Sequence, residues 1–463
     1  MDFNIENGLC RISDPSIHFI NSYIPLPSLD YKNLIQKLGI TALNEMQQAA
    51  LDTLDKAGDM LLLSPTGSGK TLGFLLPLIQ LMKPDTEGVQ ALILVPSREL
   101  AIQIEKVFRS LGTGFKVSCC YGGHDTRTEK NNFLQSPALV VGTPGRIEHH
   151  LRLKSFDPLT VKTLILDEFD KSLELGFKTE MSAIIGELRN LSSRILTSAT
   201  DLKEIPDFVN LNKPARLNYL MNTPIAGLDV KFVKAPGKEK LDTLFALMCK
   251  LGNEPTLVFC NHREAVDRIS DLLREKQLTH DVFHGGMEQH EREQALIKFR
   301  NGTHHLLITT DLASRGLDIP AIKNVIHYQL PASETIFVHR NGRTARMHAD
   351  GTAWLILAEG EYLPAYTAGK AQPENLKNTT ALPPASAWVT LYLNVGKKEK
   401  ISKGDIVGLL LQKGALNKDE LGLIELMDHC SFAAVKKAKA EKVLELLKGE
   451  KLKNKSVKIS LHQ

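Results

Sequence analysis

Three carboxylates crowd the end of an apolar run in LILDEFDKSL, residues 164–173: Asp167, Glu168 and, beyond Phe169, Asp170. Acids at the tip of a buried strand are costly unless a metal, a proton or a positive partner compensates them. A candidate partner lies upstream in SPTGSGKT, residues 64–71, between the apolar DMLLLS and the helical LGFLLPLIQLM. Small residues between a strand and a helix let successive backbone N–H groups curl around an anion at the helix N-terminus. Thr66, Gly67, Ser68 and Gly69 are therefore candidates to wrap phosphates, Lys70 to pair with the terminal ones, and Thr71 to offer its hydroxyl to Mg2+. Ser64 stands where the general pattern has its first glycine. Asp167 can then hold the magnesium through water, and Glu168 can orient or deprotonate the water that attacks the γ-phosphate of ATP.

The elements that must position these groups follow from periodicity. Short runs rich in Val, Ile and Leu (DMLLLS, QALILVP, ALVVGTP, KTLILDE, RILTSAT) alternate with stretches of helical period such as RELAIQIEKVFRSL. Continuous apolar strands between helices predict a parallel sheet covered on both faces. The pattern restarts after the turn-rich NKPARLNYLMNTPIAG with TLVFCN, HDVFHGG, HLLITTD, KNVIHYQLP and TAWLILAEGE. A Pro-, Asn- and Thr-rich stretch then precedes a segment whose order reads β-α-β-β-α-β, the split-βαβ arrangement. The expected division is 1–215 and 216–370 for the two α/β domains, 371–388 for a linker and 389–463 for the small α+β domain.

Composition narrows the function classes. With 43% hydrophobic and 24% charged residues, the 463-residue chain is of ordinary globular type and long enough for several cores. No stretch approaches the roughly 18 uninterrupted apolar residues of a membrane span, and the N-terminus has no leader pattern, so a cytoplasmic protein with no membrane partner is expected. Six scattered cysteines without a C-x-x-C pair suit free thiols and give no zinc spacing. From Trp388 onward there are 15 lysines, no arginine and 9 acids, an excess that suits a polyanionic partner.

The ordered set SPTGSGKT, PSRELAIQ, the glycine pair 122–123, TPGR, DEFD, SAT, LVFCN, TTDLASRGLDIP and HRNGRTAR resembles the motifs of the DEAD-box RNA helicases, over residues 30 to 360. The resemblance implies two tandem RecA-like parallel-sheet domains that clamp ATP and RNA between them. It implies Gln47 as the adenine-reading glutamine, and Asp318, Arg343 and Arg346 as groups that reach the nucleotide from the second domain. In HRNGRTAR, Arg343 and Arg346 stand about one helical turn apart, the spacing at which both could stabilise charge in phosphoryl transfer. RNA contacts are implied at Arg98, Gly123, Thr143, Gly145, Arg146, Gln289, Arg292 and Thr310. Asp170, Ser198 and Thr200 are implied to couple hydrolysis to strand separation.

The sequence departs from the family at Phe169, where alanine is usual, at His262, where a threonine is usual, and at Asn44, which also replaces a threonine. Alternation along a strand would turn Phe169 away from its neighbours, its ring packing under the motif. The tail, with VGKKEKISKGDIVGLL, is similar to the C-terminal RRM-like RNA-binding domain of the DbpA group. That resemblance implies a hairpin of large-subunit ribosomal RNA as partner, for a monomeric chain. Lys397, Lys398, Lys400 and Lys403 are the candidate contacts, because only Tyr392 and Phe432 offer rings on the central strands. Two readings compete: an RNA-dependent ATPase that opens short duplexes, and an ATP-gated RNA clamp that does not unwind. A DNA translocase is disfavoured by PSRELAIQ and HRNGRTAR.

Overall fold

The computed structural model describes residues 31–463 apart from 66, 124–125, 203, 221–226, 312–321, 343, 345–349, 368, 377–380 and 463. Seven strands form the first sheet: β1 (Met60–Leu63), β2 (Ala91–Leu94), β3 (Val117–Cys120), β4 (Leu139–Gly142), β5 (Thr163–Leu166), β6 (Ser193–Ser198) and β7 (Ala215–Asn218). Their order is β3-β4-β2-β5-β6-β1-β7, and the pairings are parallel. Neighbouring residues along a strand feed different cores. Met60, Ile93 and Ile165 pack on one face, while Leu61, Leu63, Leu92, Leu94, Leu164 and Leu166 pack on the other. Burial on both faces is why these strands read as unbroken apolar runs. The order places the ends of β1 and β5 on either side of β6, so the loop after Leu63 and the acids after Leu166 meet at one edge.

The second sheet repeats the plan with β8 (Leu228–Lys234), β9 (Thr256–Phe259), β10 (Asp281–Phe283), β11 (Leu306–Thr309), β12 (Asn324–His327), β13 (Gly351–Leu357) and β14 (Ala371–Pro373), in the order β10-β11-β9-β12-β13-β8-β14. Residues 371–373, which composition assigns to the linker, instead pair with β8 as an edge strand. Its proline is tolerable because an edge strand need not donate on both sides.

A buried histidine in this domain sets a pH limit. The His327 ring stacks against Phe337 at 5.1 Å and its Nε2 lies 3.2 Å from Asn341 Oδ1. Burial, reinforced by the Arg340 charge, lowers its pKa to about 3. The unfolded chain, titrating near 6.5, therefore takes up a proton that the folded one refuses, so stability falls as pH drops from about 6.5 toward 3. Denaturant unfolding of the second domain should lose about 2 kcal/mol between pH 7 and pH 5 from this group. The substitution His327→Gln should remove most of that loss, and an unchanged acid limb would contradict it.

The tail is a four-stranded antiparallel sheet, β15 (Trp388–Leu393), β16 (Leu421–Leu426), β17 (Ser431–Lys436) and, after a short hairpin of β18 (Lys451–Leu452) with β19 (Lys455–Ser456), β20 (Ile459–Leu461). The order is β16-β17-β15-β20, with helices at Lys403–Gly408 and Lys437–Leu446 in the chain positions that β-α-β-β-α-β requires. Leu391, Leu393, Ala433 and Val435 form its core together with Ile406 and Val443 of those helices. Among the described residues no helix is long and apolar enough to cross a membrane.

Candidate nucleotide and nucleic-acid site

The phosphate-loop candidates run from the end of β1 into the helix Lys70–Leu81. Gly69 has φ +87, a backbone conformation that favours glycine, and a Cβ there would fall 2.5 Å from Gln47 Nε2, which would have to move. Gln47 Nε2 donates to Gly69 O at 3.1 Å, and Asn44 Nδ2 donates to Ser68 O at 2.9 Å. The same two residues form a reciprocal cap on the helix Glu45–Ala57: Gln47 N donates to Asn44 Oδ1 and Asn44 N to Gln47 Oε1. Asn44, a departure in the sequence, is thus tied directly to the loop. Its position just before an apolar-periodic helix, three residues ahead of a glutamine, was the signal that could have found it.

Lys70 is buried, and its Nζ donates to Ser64 O at 2.5 Å and Pro65 O at 3.1 Å. Ser64 Oγ donates to Ser68 Oγ at 2.6 Å, which uses the hydroxyl that replaces a glycine to brace the loop. Gly67 is left-handed at φ +82, Thr71 is the second residue of the helix, and Thr66 lies outside the described residues.

Across from the loop, Asp167 follows β5 directly and is 3% exposed. Thr197 donates its hydroxyl to Asp167 Oδ1, and Glu168 N donates to the same oxygen at 3.1 Å. Thr197, on β6, is a site residue the motifs did not flag. Burial raises the Asp167 carboxyl pKa against the pull of Thr197 and of Lys70. A buried carboxylate at the end of β5 and a threonine hydroxyl on the first turn of the helix Lys70–Leu81 are hard-oxygen donors of the kind a small divalent cation takes.

Phe169 corrects the expectation of strand alternation. β5 stops at Leu166, Glu168 turns the chain at φ 48 and ψ 50, and Phe169 opens the short helix Phe169–Glu174. Its ring is fully buried in the core beneath the sheet, 6.4 Å from that of Phe208. The ring packs under the motif, as expected, but because the backbone turns left-handed rather than because a strand continues.

Asp170 accepts a hydrogen bond from Thr200 Oγ1 at 2.8 Å, while Ser198 Oγ donates to Thr200 O at 2.7 Å. His339, from the second domain, places Nε2 3.5 Å from Asp170 Oδ2. Burial works against ionisation of Asp170, but His339, Thr200 and Lys171 outweigh it and hold the carboxyl at about 2. The structure therefore brings Asp170, Ser198 and Thr200 together and joins them to the second domain.

The helix Glu334–Asn341 carries His339 and ends before Arg343. Arg343, Arg346 and Asp318 lie outside the described residues.

The candidate RNA contacts form two groups. Arg98 opens the helix Arg98–Leu111, and its Nη1 donates to Gln289 Oε1 of the second domain at 3.4 Å. A Cβ on Gly123 would fall 2.3 Å from the same Nη1, so that glycine lets the backbone approach the guanidinium. Arg292 pairs with Glu99 at 3.3 Å across the same seam. Thr143, Gly145 and Arg146 form the start of the helix Pro144–Arg152, with Thr143 as N-cap, a position where backbone N–H groups favour phosphate. Thr310 follows β11 and lines a cleft with Asn261, His262, Arg263 and Asp311.

In the tail, Lys397 and Lys398 lie on the turn Lys397–Glu399, Lys400 follows it in left-handed conformation, and Lys403 opens the helix. The Phe432 ring does not offer a stacking platform. Thr390 is fully buried, hydrogen-bonded to Asn301 Nδ2 and Thr303 Oγ1 of the second domain, each at 2.8 Å. Tyr392 lies two residues along the same strand and pairs with Phe432, so all three share that face. Phe432 is 3% exposed, with the Tyr392 ring at 5.6 Å and the His462 ring at 5.0 Å.

Comparison with known proteins agrees with this geometry. Residues 44–208 match the family model described as DEAD/DEAH box helicase, residues 239–348 the helicase conserved C-terminal domain, and residues 390–461 the DbpA RNA binding domain. The chain is 30% identical to the ATP-dependent RNA helicase DbpA of Bacillus subtilis over 96% of its length and 99% of that protein. It is also 30% identical to the Escherichia coli protein of the same name, over 94% and 98%. Among solved structures, S. cerevisiae Dbp5 bound to RNA and ADP BeF3 superposes with a TM-score of 0.65 at 23% identity, over 74% of this chain and 93% of that one, a likeness of fold. With an ATP-binding core in two parallel-sheet domains and a C-terminal RNA-binding domain, the chain belongs to the DbpA group of DEAD-box ATP-dependent RNA helicases.

Proposed function

We propose that this helicase acts on large-subunit ribosomal RNA, held by its tail while the core opens a short neighbouring duplex, in the cytoplasm and as a monomer. The observation that carries this is the pairing of a helicase core with a DbpA-type domain in which 15 lysines face 9 acids. Lysine ammonium groups on exposed turns suit phosphates, and Lys397, Lys398, Lys400 and Lys403 are the assigned contacts. In the core, Gln47 reads the adenine, residues 66 to 70 wrap the phosphates, and Glu168 orients the attacking water. Thr71 and Asp167 would hold a magnesium ion, whose charge offsets that of the phosphates. Asp318, Arg343 and Arg346 complete the site from the second domain, and Arg98, Gly123, Thr143, Gly145, Arg146, Gln289, Arg292 and Thr310 hold the RNA backbone.

Duplex opening is favoured over a passive clamp because Asp170 keeps its bond to Thr200 and its contact with His339 despite the neighbouring Phe169. A chain with Lys397, Lys398, Lys400 and Lys403 all changed to Gln tests the tail assignment. It should lose its preference for a ribosomal fragment containing the peptidyl-transferase hairpin while an unrelated RNA still stimulates ATP hydrolysis. Retained preference would remove these lysines from the contact.

A further inference from the structure

Beneath the RNA-facing edge of the first domain lies one carboxylate that no motif includes. Glu129, on the helix Thr126–Phe133, is 1% exposed. Its Oε2 accepts from Arg146 Nε at 2.6 Å and lies 2.6 Å from His150 Nε2. Its Oε1 accepts from the backbone N–H of Tyr121 at 3.2 Å, immediately before the glycine pair 122–123. His150 is itself fully buried, its other ring nitrogen 3.0 Å from Ser155 Oγ and its ring 5.0 Å from that of Phe133.

Cys120, Glu129 and His150 place their ligand-type atoms within 4.8 Å of one another, so the cluster can also be considered as a metal site. The contacts argue otherwise. Arg146 already supplies a positive charge to the carboxylate, and the Oε2 of Glu129 is taken up by both Arg146 and His150.

We infer that Glu129 is a positioning residue for RNA engagement, one carboxylate that sets Arg146 and the Gly122–Gly123 turn in a common frame. Holding a guanidinium through Nε fixes the plane of its two terminal nitrogens, and a fixed fork matches phosphate with little loss of freedom. The bond to Tyr121 N anchors the turn that Arg98 approaches at Gly123. Glu129 thereby links two RNA-facing groups that are separated in sequence, from a position no RNA can reach. The inference rests on the proposed RNA role of Arg146, and the test separates the two.

The full chain is compared with E129Q, R146Q and the double variant, using a single-stranded oligouridylate as the RNA. The readouts are the RNA concentration for half-maximal ATPase stimulation, kcat at saturating RNA, KM for ATP and the melting temperature. A glutamine has one carbonyl oxygen and cannot accept from all three partners, so E129Q should raise the half-stimulating RNA concentration about five-fold or more. Values of kcat and KM for ATP should stay within about two-fold, and the double variant should be little worse than R146Q alone. A loss of folding alone would not give that split. Where E129Q does not fold, E129D, which keeps the charge but withdraws it by one methylene, should give the same readout. An unchanged RNA requirement in the glutamate variants beside a raised one in R146Q would overturn the inference. An unchanged requirement in R146Q would instead remove the RNA role of Arg146, and the inference with it.

Discussion

A Glu168→Gln chain should bind ATP and RNA almost normally and turn over ATP about 100- to 10,000-fold more slowly, the range expected when a general base is removed. The side chain stays isosteric, so the amide can still occupy the buried position after β5, where Glu168 is 5% exposed. On the proposed role, what is lost is the negative oxygen that takes or orients a proton of the attacking water. The backbone explains why the residue has this reach. Glu168 sits at φ 48, a conformation that costs a non-glycine residue about 1–2 kcal/mol, and it is held there by its N–H bond to Asp167 Oδ1. Strain of this kind marks a site where direction of the side chain matters more than local stability. Steady-state turnover beside a nucleotide-binding titration checks the prediction. Normal turnover would move the catalytic carboxylate elsewhere.

Replacement of Phe169 by alanine, the residue usual in this family, should destabilise the first domain by about 3–5 kcal/mol. The ring is fully buried among Leu164, Leu166 and Leu196 and faces Phe208 of the short helix Asp207–Val209. Removing it leaves a cavity that the sheet above cannot collapse into without moving the acids. The surrounding residues have accommodated the larger side chain, so reversion to the usual residue should harm rather than help. Thermal unfolding followed with a probe in the first domain reads the effect. Because Asp167 and Glu168 are held by separate hydrogen bonds, turnover per folded molecule at low temperature should change little. An unchanged melting temperature would mean that Phe169 carries no packing energy.

The phosphate loop and the parallel sheets were legible because their signals are local: small residues before Lys70, and apolar runs of strand length between helices. The edge strands β7 and β14 were not. β7, ARLN, alternates in exposure inside a stretch that reads as a turn-rich joint, and β14 hides in a proline-containing stretch. Both owe their conformation to a partner strand already in place. The turn at Glu168 was equally invisible, since no glycine or asparagine announces a left-handed residue there. Asn44 reads as a departure because its bond to Ser68 O is made only by the fold, although its cap on Gln47 N is local. The face of the tail sheet could be counted as poor in aromatic residues from sequence, but its cover could not. Residues 301 and 303 that bond Thr390 lie almost ninety positions away, and no spacing rule connects them.

RNA-dependent catalysis is tested most directly by steady-state ATP hydrolysis by the full chain and by E168Q, each with and without RNA. The full chain alone should hydrolyse ATP slowly and be strongly stimulated by RNA, and E168Q should show near-background turnover in both conditions. Hydrolysis by the full chain that is equally fast without RNA, or that survives in E168Q, would contradict it.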